Sequence, residues 1–227
     1  MSGTSSASTP AVSLRGIRKR FGYRDVLRGI DLEIPAGVCA AIFGANGAGK
    51  STLLRIVATL AQPSEGVGSV LGFDLVRRPL EVRRRIGVVM HQSFLRDELT
   101  LDENLRLFAA LYGSVDGMTG ETLVERFGLA HRRRDPVGTF SQGMTKRANL
   151  IRSLLHAPQL WILDEPFSGL DPAGQELLRE SIHEFRTRGG TVLLVTHRTD
   201  LGRELAQQVV SIHDGDIVAA GTPGELP

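Results

Sequence analysis

Cysteine is nearly absent: Cys39 is the one thiol in 227 residues, so no disulfide can form within the chain. Its place inside an apolar run reads as a small core residue, and the scarcity itself points to a reducing compartment. Long apolar runs are also missing. The longest, such as residues 38–43 and 192–195, fall far short of the ~20 residues that a membrane-spanning helix needs. Excess charge is missing too, since 27 basic residues face 25 acidic ones for a net +2. That balance does not suit a dedicated nucleic-acid binder. Lysine is rare among the basic residues, limited to Lys19, Lys50 and Lys146. Residues 1–11 are rich in Ser, Thr and Gly, with neither the basic start nor the apolar region of a secretory signal, and are expected to form a disordered tail.

What is there suits a globular domain with one sizeable core. Hydrophobic residues make up 41% of the chain and charged ones 23%. Runs rich in Val and Ile predict strands at 12–17, 31–34, 38–43, 86–90, 160–163, 191–196, 209–213 and 217–220. The early runs, broken by Gly22 and by Pro35-Ala36-Gly37, suit an antiparallel meander. The later ones are almost wholly apolar, as in strands buried on both faces of a parallel sheet. Helical periodicity predicts helices at 49–60, 101–112, 144–155 and 172–188. Between 92 and 156 the strand signal vanishes. The expectation is an α/β domain over 12–227 with a helical subdomain inserted at about 93–156.

The strand at 38–43 runs into Gly44-Ala45-Asn46-Gly47-Ala48-Gly49-Lys50-Ser51-Thr52, and a helix follows. This fits the phosphate-loop pattern G-x-x-x-x-G-K-[ST] in its strand–loop–helix context. The glycines let successive N–H groups turn inward onto phosphate oxygens, and the helix N-terminus adds partial positive charge. Lys50 supplies a full charge to the β/γ-phosphates, and Ser51 a hydroxyl for Mg²⁺.

The apolar strand at 160–163 ends in two acids, Asp164 and Glu165. A buried strand rarely ends so without a cation or a proton relay nearby. Side chains alternate along a strand, so the two acids can divide the labour. Asp164 is placed to hold Mg²⁺ and Glu165 to activate a water.

Upstream of these acids, Phe140-Ser141-Gln142-Gly143-Met144 opens a helix for which Ser141 is a good N-cap. Downstream come Ser168-Gly169-Leu170-Asp171 and then His197, at the end of the next strand. In this order of motifs the sequence resembles the ATP-binding subunits of ABC transporters over essentially all of 12–227. The resemblance implies a P-loop ABC-type ATPase domain with a mainly parallel central sheet, an antiparallel β-subdomain and the helical insertion. It implies that Phe21 stacks on adenine, and that Gln92 touches Mg²⁺ and the attacking water. Ser141 and Gly143 would bind the γ-phosphate held by the opposite subunit, Asp171 would cross the dimer interface, and His197 would contact the γ-phosphate. The common Leu-Ser-Gly-Gly-Gln is altered here at Gln142 and Met144, while the Ser hydroxyl and the second Gly are kept. Residues 87–105 look most like the ATP-binding subunit of the haem exporter of cytochrome c biogenesis.

The partners implied are ATP with Mg²⁺, a second ATP-binding subunit paired head to tail, and integral membrane transporter subunits that hold the chain at the cytoplasmic face of the membrane. Nucleic acid is not among them. Two rivals stand beside this: another exporter ATPase, for a drug, lipid or polysaccharide, and a soluble ABC-type ATPase not tied to transport. An intact Glu165 and His197 argue against a non-hydrolysing sensor. Residues 93–103 follow Gln92 and mix Phe94, Leu95, Leu99 and Leu101 with Arg96, Asp97 and Glu98, which suits either a docking patch for a membrane subunit or packed core. The clusters Arg83-Arg84-Arg85 and Arg132-Arg133-Arg134 read as solvated faces.

Overall fold

The computed structural model describes residues 9–113 and 120–225. In chain order the strands are β1 (Val12–Phe21), β2 (Arg24–Ile34), β3 (Cys39–Phe43), β4 (Glu65–Val70), β5 (Phe73–Asp74), β6 (Ile86–Val89), β7 (Leu160–Asp164), β8 (Thr191–Val195), β9 (Gln208–His213) and β10 (Asp216–Gly221). The helices are α1 (Lys50–Val57), α2 (Pro79–Arg83), α3 (Leu101–Tyr112), α4 (Gly120–Arg126), α5 (Gln142–Leu154), α6 (Pro172–Thr187) and α7 (Thr199–Leu205).

Two sheets result. One is antiparallel, in the order β2-β1-β4-β5. The other runs β10-β9-β3-β8-β7-β6, parallel throughout except for the β9–β10 edge. Alternation along its central strands divides the interior. Leu160, Ile162, Leu193 and Val195 face a core shared with β1, β2 and α1. Trp161, Leu163, Val192 and Leu194 face a second core built with α5 and α6. Strands covered on both faces must be apolar at every position, hence the unbroken runs in the sequence.

Cys39 lies in the second core, fully buried, and burial pushes its thiol up to about 12, so it stays protonated and inert. Ala11, expected in the tail, is instead buried; its N–H donates to the Ile34 carbonyl and its own carbonyl accepts from Leu71 N. Ordered packing therefore starts at least one residue early. Of the rest of that expected tail, Thr9 is exposed and Pro10 partly buried, and residues 1–8 lie outside the described residues.

Strands β4 and β5 were invisible to hydrophobic pattern. The run Glu65-Gly-Val-Gly-Ser-Val70 carries two glycines, which lower strand propensity. Their reason is close approach: a Cβ on Gly66 would lie 2.4 Å from the Gly16 carbonyl oxygen, and one on Gly68 2.7 Å from Leu14. Tight docking onto β1 overrides propensity here.

Between β6 and β7 the described residues hold helices and two 3₁₀ turns but no strand. Thr100 and Glu103 form a reciprocal capping box at the start of α3, and Gly113 ends it at φ 80°. The basic clusters are only partly solvated. Arg83 bonds the Thr59 hydroxyl and carbonyl, Arg85 pairs with Glu81, Arg132 with Asp135, and Arg133 with Asp102. Each pins a loop or helix end.

Residues 93–103 divide between core and surface. Leu95 and Leu101 are buried among the helices. Asn104 wraps the intervening loop, accepting from Arg96 N and donating to the carbonyls of Arg96, Leu99 and Thr100. Phe94 stays 37% exposed, its ring 4.9 Å from the buried Arg152 guanidinium. A carboxylate at Leu95 would be buried unpaired, so Leu95→Asp is expected to cost roughly 3 kcal/mol and lower Tm by about 10 °C. Phe94→Asp, partly exposed beside Arg152, is expected to leave Tm within about 3 °C of wild type. Thermal melts of both variants check the division.

Candidate functional site

The fully buried strand β3 delivers the chain into the loop Gly44–Thr52 at the C-terminal edge of the parallel sheet. Gly44 is required by space: a Cβ there would lie 2.2 Å from the Ile212 carbonyl oxygen. Gly49 is required twice, by φ 107° and by Leu27, 2.7 Å from any added Cβ. It caps α1 without a side chain, which leaves the first N–H groups of the helix free to face a ligand. Ala48 is buried, with its N–H on the Ala45 carbonyl. The Lys50 ammonium donates to the carbonyls of Gly44 and Ala45, at 2.7 and 2.9 Å, closing the loop around its own charge. Burial lowers the Lys50 pKa, while Glu165 and Asp164 pull it back up.

Both acids come from the end of β7, two strands away from β3 with β8 between them. Asp164 is buried. Glu165 leaves the strand at φ 48°, a left-handed conformation that costs a non-glycine residue energy and marks functional sites. Its N–H is held by the Val195 carbonyl at 2.9 Å. The Glu165 Oε1 atom is buried with no hydrogen-bond partner and lies 3.4 Å from His197 Nε2. Buried carboxylate oxygens are rarely left so in structure for its own sake.

One cleft of about 270 Å³ gathers these groups. It is lined by Asn46, Gly47, Gly49, Lys50, Ser51 and Thr52 of the loop, by Asp164, Glu165 and His197, and by Arg24, Val26 and Val195. Arg24 and Val26 carried no sequence signal, because nothing in the β2 pattern distinguishes them from ordinary strand residues. Two expected members stand apart. Phe21, at the tip of the β1–β2 hairpin, is 53% exposed, lies against Lys19 and does not line the cleft. Gln92 is exposed just beyond β6, beside β7, and is also outside the lining. Neither is among the lining residues, though Phe21 pairs across the hairpin with Arg24, which is.

The residues expected to act on an opposite subunit lie together at another place. Ser141 is exposed and caps α5, accepting from Met144 N at 3.3 Å. Gly143 approaches the turn after the acids so closely that a Cβ would sit 2.9 Å from the Gly169 carbonyl oxygen. The Gln142 side chain lies against the same glycine. Asp171 caps α6 through Gly174 N at 3.0 Å and pairs with Arg147, which holds its carboxyl below the usual range. Lys146, unassigned from sequence, donates to the Glu165 carbonyl at 3.2 Å.

Comparison with known proteins agrees with this geometry. Residues 27–168 match the family described as ABC transporter. The chain is 37% identical over 219 residues to the daunorubicin resistance ATP-binding protein DrrA3 of Streptomyces coeruleorubidus, covering 95% of this chain and 69% of that one. It is 33% identical over 222 residues to the Nod factor export ATP-binding protein I of Ralstonia nicotianae, covering 96% and 69%. A solved dimeric ATP-binding cassette in a post-hydrolysis state, bound to ADP and Pi, superimposes with a TM-score of 0.84 at 25% identity, covering 93% of this chain and 98% of that one. With its phosphate loop and paired acids in one cleft of a P-loop fold, the chain belongs to the ABC transporter family and is an ATPase domain of it.

Proposed function

We propose that this chain is the ATP-hydrolysing subunit of an exporter whose membrane-spanning subunits are separate chains, and that its cargo is a drug-like organic molecule. The observation that carries the hydrolytic reading is the convergence of Lys50, Asp164, Glu165 and His197 on one cleft. None of the helices among the described residues is long and apolar enough to cross a membrane, which fits a subunit that reaches the bilayer through partners. The cargo class rests on the relatives, named for daunorubicin resistance and for Nod factor export. The haem reading drawn from residues 87–105 finds no support in either, and the drug-exporter alternative takes its place.

Mechanistically, the loop N–H groups and Lys50 bind and orient the ATP phosphates; Lys50 exchanges its two loop carbonyls for phosphate oxygens. The donor set for Mg²⁺ is hard oxygen, the Ser51 hydroxyl and the Asp164 carboxylate, both in the cleft, with Gln92 outside its lining. No group of three or more His, Cys, Asp or Glu among the described residues is placed to hold a metal ion by itself, and two protein oxygens suit an ion shared with phosphate. Mg²⁺ there would neutralise β/γ-phosphate charge. Glu165 Oε1, lacking a protein donor, is free to take a proton from water attacking the γ-phosphorus. His197, 3.4 Å away, is placed to orient that carboxylate and meet the γ-phosphate. Ser141, Gly143 and Asp171 would complete the site of an opposing copy.

The test is done in the native membrane. The chain, affinity-tagged and purified from detergent-solubilised membranes of its own cells, is expected to bring down polytopic membrane chains. Inverted vesicles from those cells are expected to take up daunorubicin on ATP addition, and vesicles lacking the chain to lose that uptake. A chain found only in the cytosol without polytopic partners overturns membrane coupling. Equal uptake with and without the chain overturns the cargo class.

A further inference from the structure

The first two turns of α5 grip the segment that follows the acids at four points. Gln142 and Gly143 pack on Gly169, Lys146 bonds the Glu165 carbonyl, and Arg147 pairs with Asp171. Lys146 is the one of these that touches Glu165. It is half-buried, and desolvation lowers its pKa while the nearby charges of Asp164 and Glu165 raise it. A half-buried ammonium whose one hydrogen bond is to a backbone carbonyl is a costly way to hold a loop, given the side-chain entropy and desolvation involved. The carbonyl it holds belongs to the residue at φ 48°. That conformation persists only if the surroundings over-determine it, and here they do so from both sides: Val195 takes the Glu165 N–H, while Lys146 and, at 3.4 Å, Ser168 N donate to its carbonyl.

Resting on the reading of Glu165 as the base, we propose that Lys146 is a positioning residue that holds the Glu165 backbone and thereby ties the aim of the base to the helix capped by Ser141. The same helix that meets the opposing copy's nucleotide then sets the geometry of this copy's own base. Lys146 carries the linkage because it is the α5 side chain bonded to the base itself, whereas Gln142, Gly143 and Arg147 act further along the segment.

Steady-state ATPase of the full chain tests this. Lys146→Met is expected to lower kcat about tenfold or more, as misplacing a base does, with KM for ATP within twofold of wild type. In the Glu165→Gln background, where no base remains to be aimed, Lys146→Met is expected to leave the ATP-dependent dimer intact in gel filtration. Loss of that dimer would show that the lysine supports the helix itself and would overturn the proposal. An unchanged kcat in Lys146→Met, with Glu165→Gln inactive, overturns it as well. Normal turnover in Glu165→Gln brings down the base assignment instead, which keeps the two failures distinct. Should Lys146→Met not fold, Lys146→Gln retains an N–H donor and carries the same test, with about a threefold loss expected and an unchanged kcat contradicting it.

Discussion

Glu165→Gln is expected to bind ATP as well as wild type and to lose about 10²–10⁴ in turnover, the range typical of removing a general base. Converted to barrier height, the loss is roughly 3–5 kcal/mol. The substitution keeps size and shape, so the left-handed backbone and its bonds to Val195 and Lys146 need not change. Lost are the basicity of Oε1 and its charge beside His197 Nε2. ATP affinity resides in the loop N–H groups, Lys50 and Ser51, none of which the substitution touches. Turnover within threefold of wild type, measured with saturating Mg²⁺ and ATP, would sink the assignment.

A second large effect is expected at Ser141. Within its own chain Ser141 caps α5 through Met144 N, and losing such a cap costs about 1 kcal/mol. That is too little to unfold the protein. Between chains the expectation is all-or-none. Ser141 is exposed at the N-terminus of a 13-residue helix, beside the glycine that presses on Gly169. If this surface closes over a phosphate bound to the opposing copy, an arginine side chain there fills the seam. The Glu165→Gln variant is expected to run as a dimer with ATP, and Glu165→Gln combined with Ser141→Arg as a monomer, with Tm lowered by only a few degrees. A double variant that still dimerises with ATP shows that the signature does not act in trans.

Much of the core and the phosphate loop was legible because each follows from local rules. The runs that became β3, β7 and β8 are apolar at consecutive positions, and burial on both faces permits little else. Gly44 and Gly49 stand where no Cβ fits, and Lys50 where a strand feeds a helix. Features set by distant neighbours were not legible. Gly66 and Gly68 look like strand breakers until β1 is seen against them. Leu95 and Phe94 are adjacent and equally apolar, yet one enters the core and the other lies over Arg152, a choice made by how α5 is placed. Phe21 and Gln92 took their expected roles from the order of motifs alone, and neither is among the residues that line the cleft. Lys146 is the converse: its rarity in an arginine-rich chain was visible, but its meaning depends on the Glu165 carbonyl 19 positions downstream.

The proposed hydrolytic site is shared by two copies, with Lys50, Asp164 and Glu165 from one and Ser141 and Gly143 from the other. Mixing two inactive variants tests it most directly. Glu165→Gln supplies an intact signature, and Ser141→Arg supplies an intact phosphate loop and base; a mixed pair carries the arginine at one seam and leaves the other open, where the Ser141→Arg homodimer would have both filled. In a mixed pair one of the two sites then has every group it needs. Each variant alone is expected to hydrolyse ATP at background rate, and an equimolar mixture to recover a substantial fraction of wild-type turnover, rising with protein concentration as pairing is favoured. A mixture no more active than the sum of its separate components would contradict the shared site.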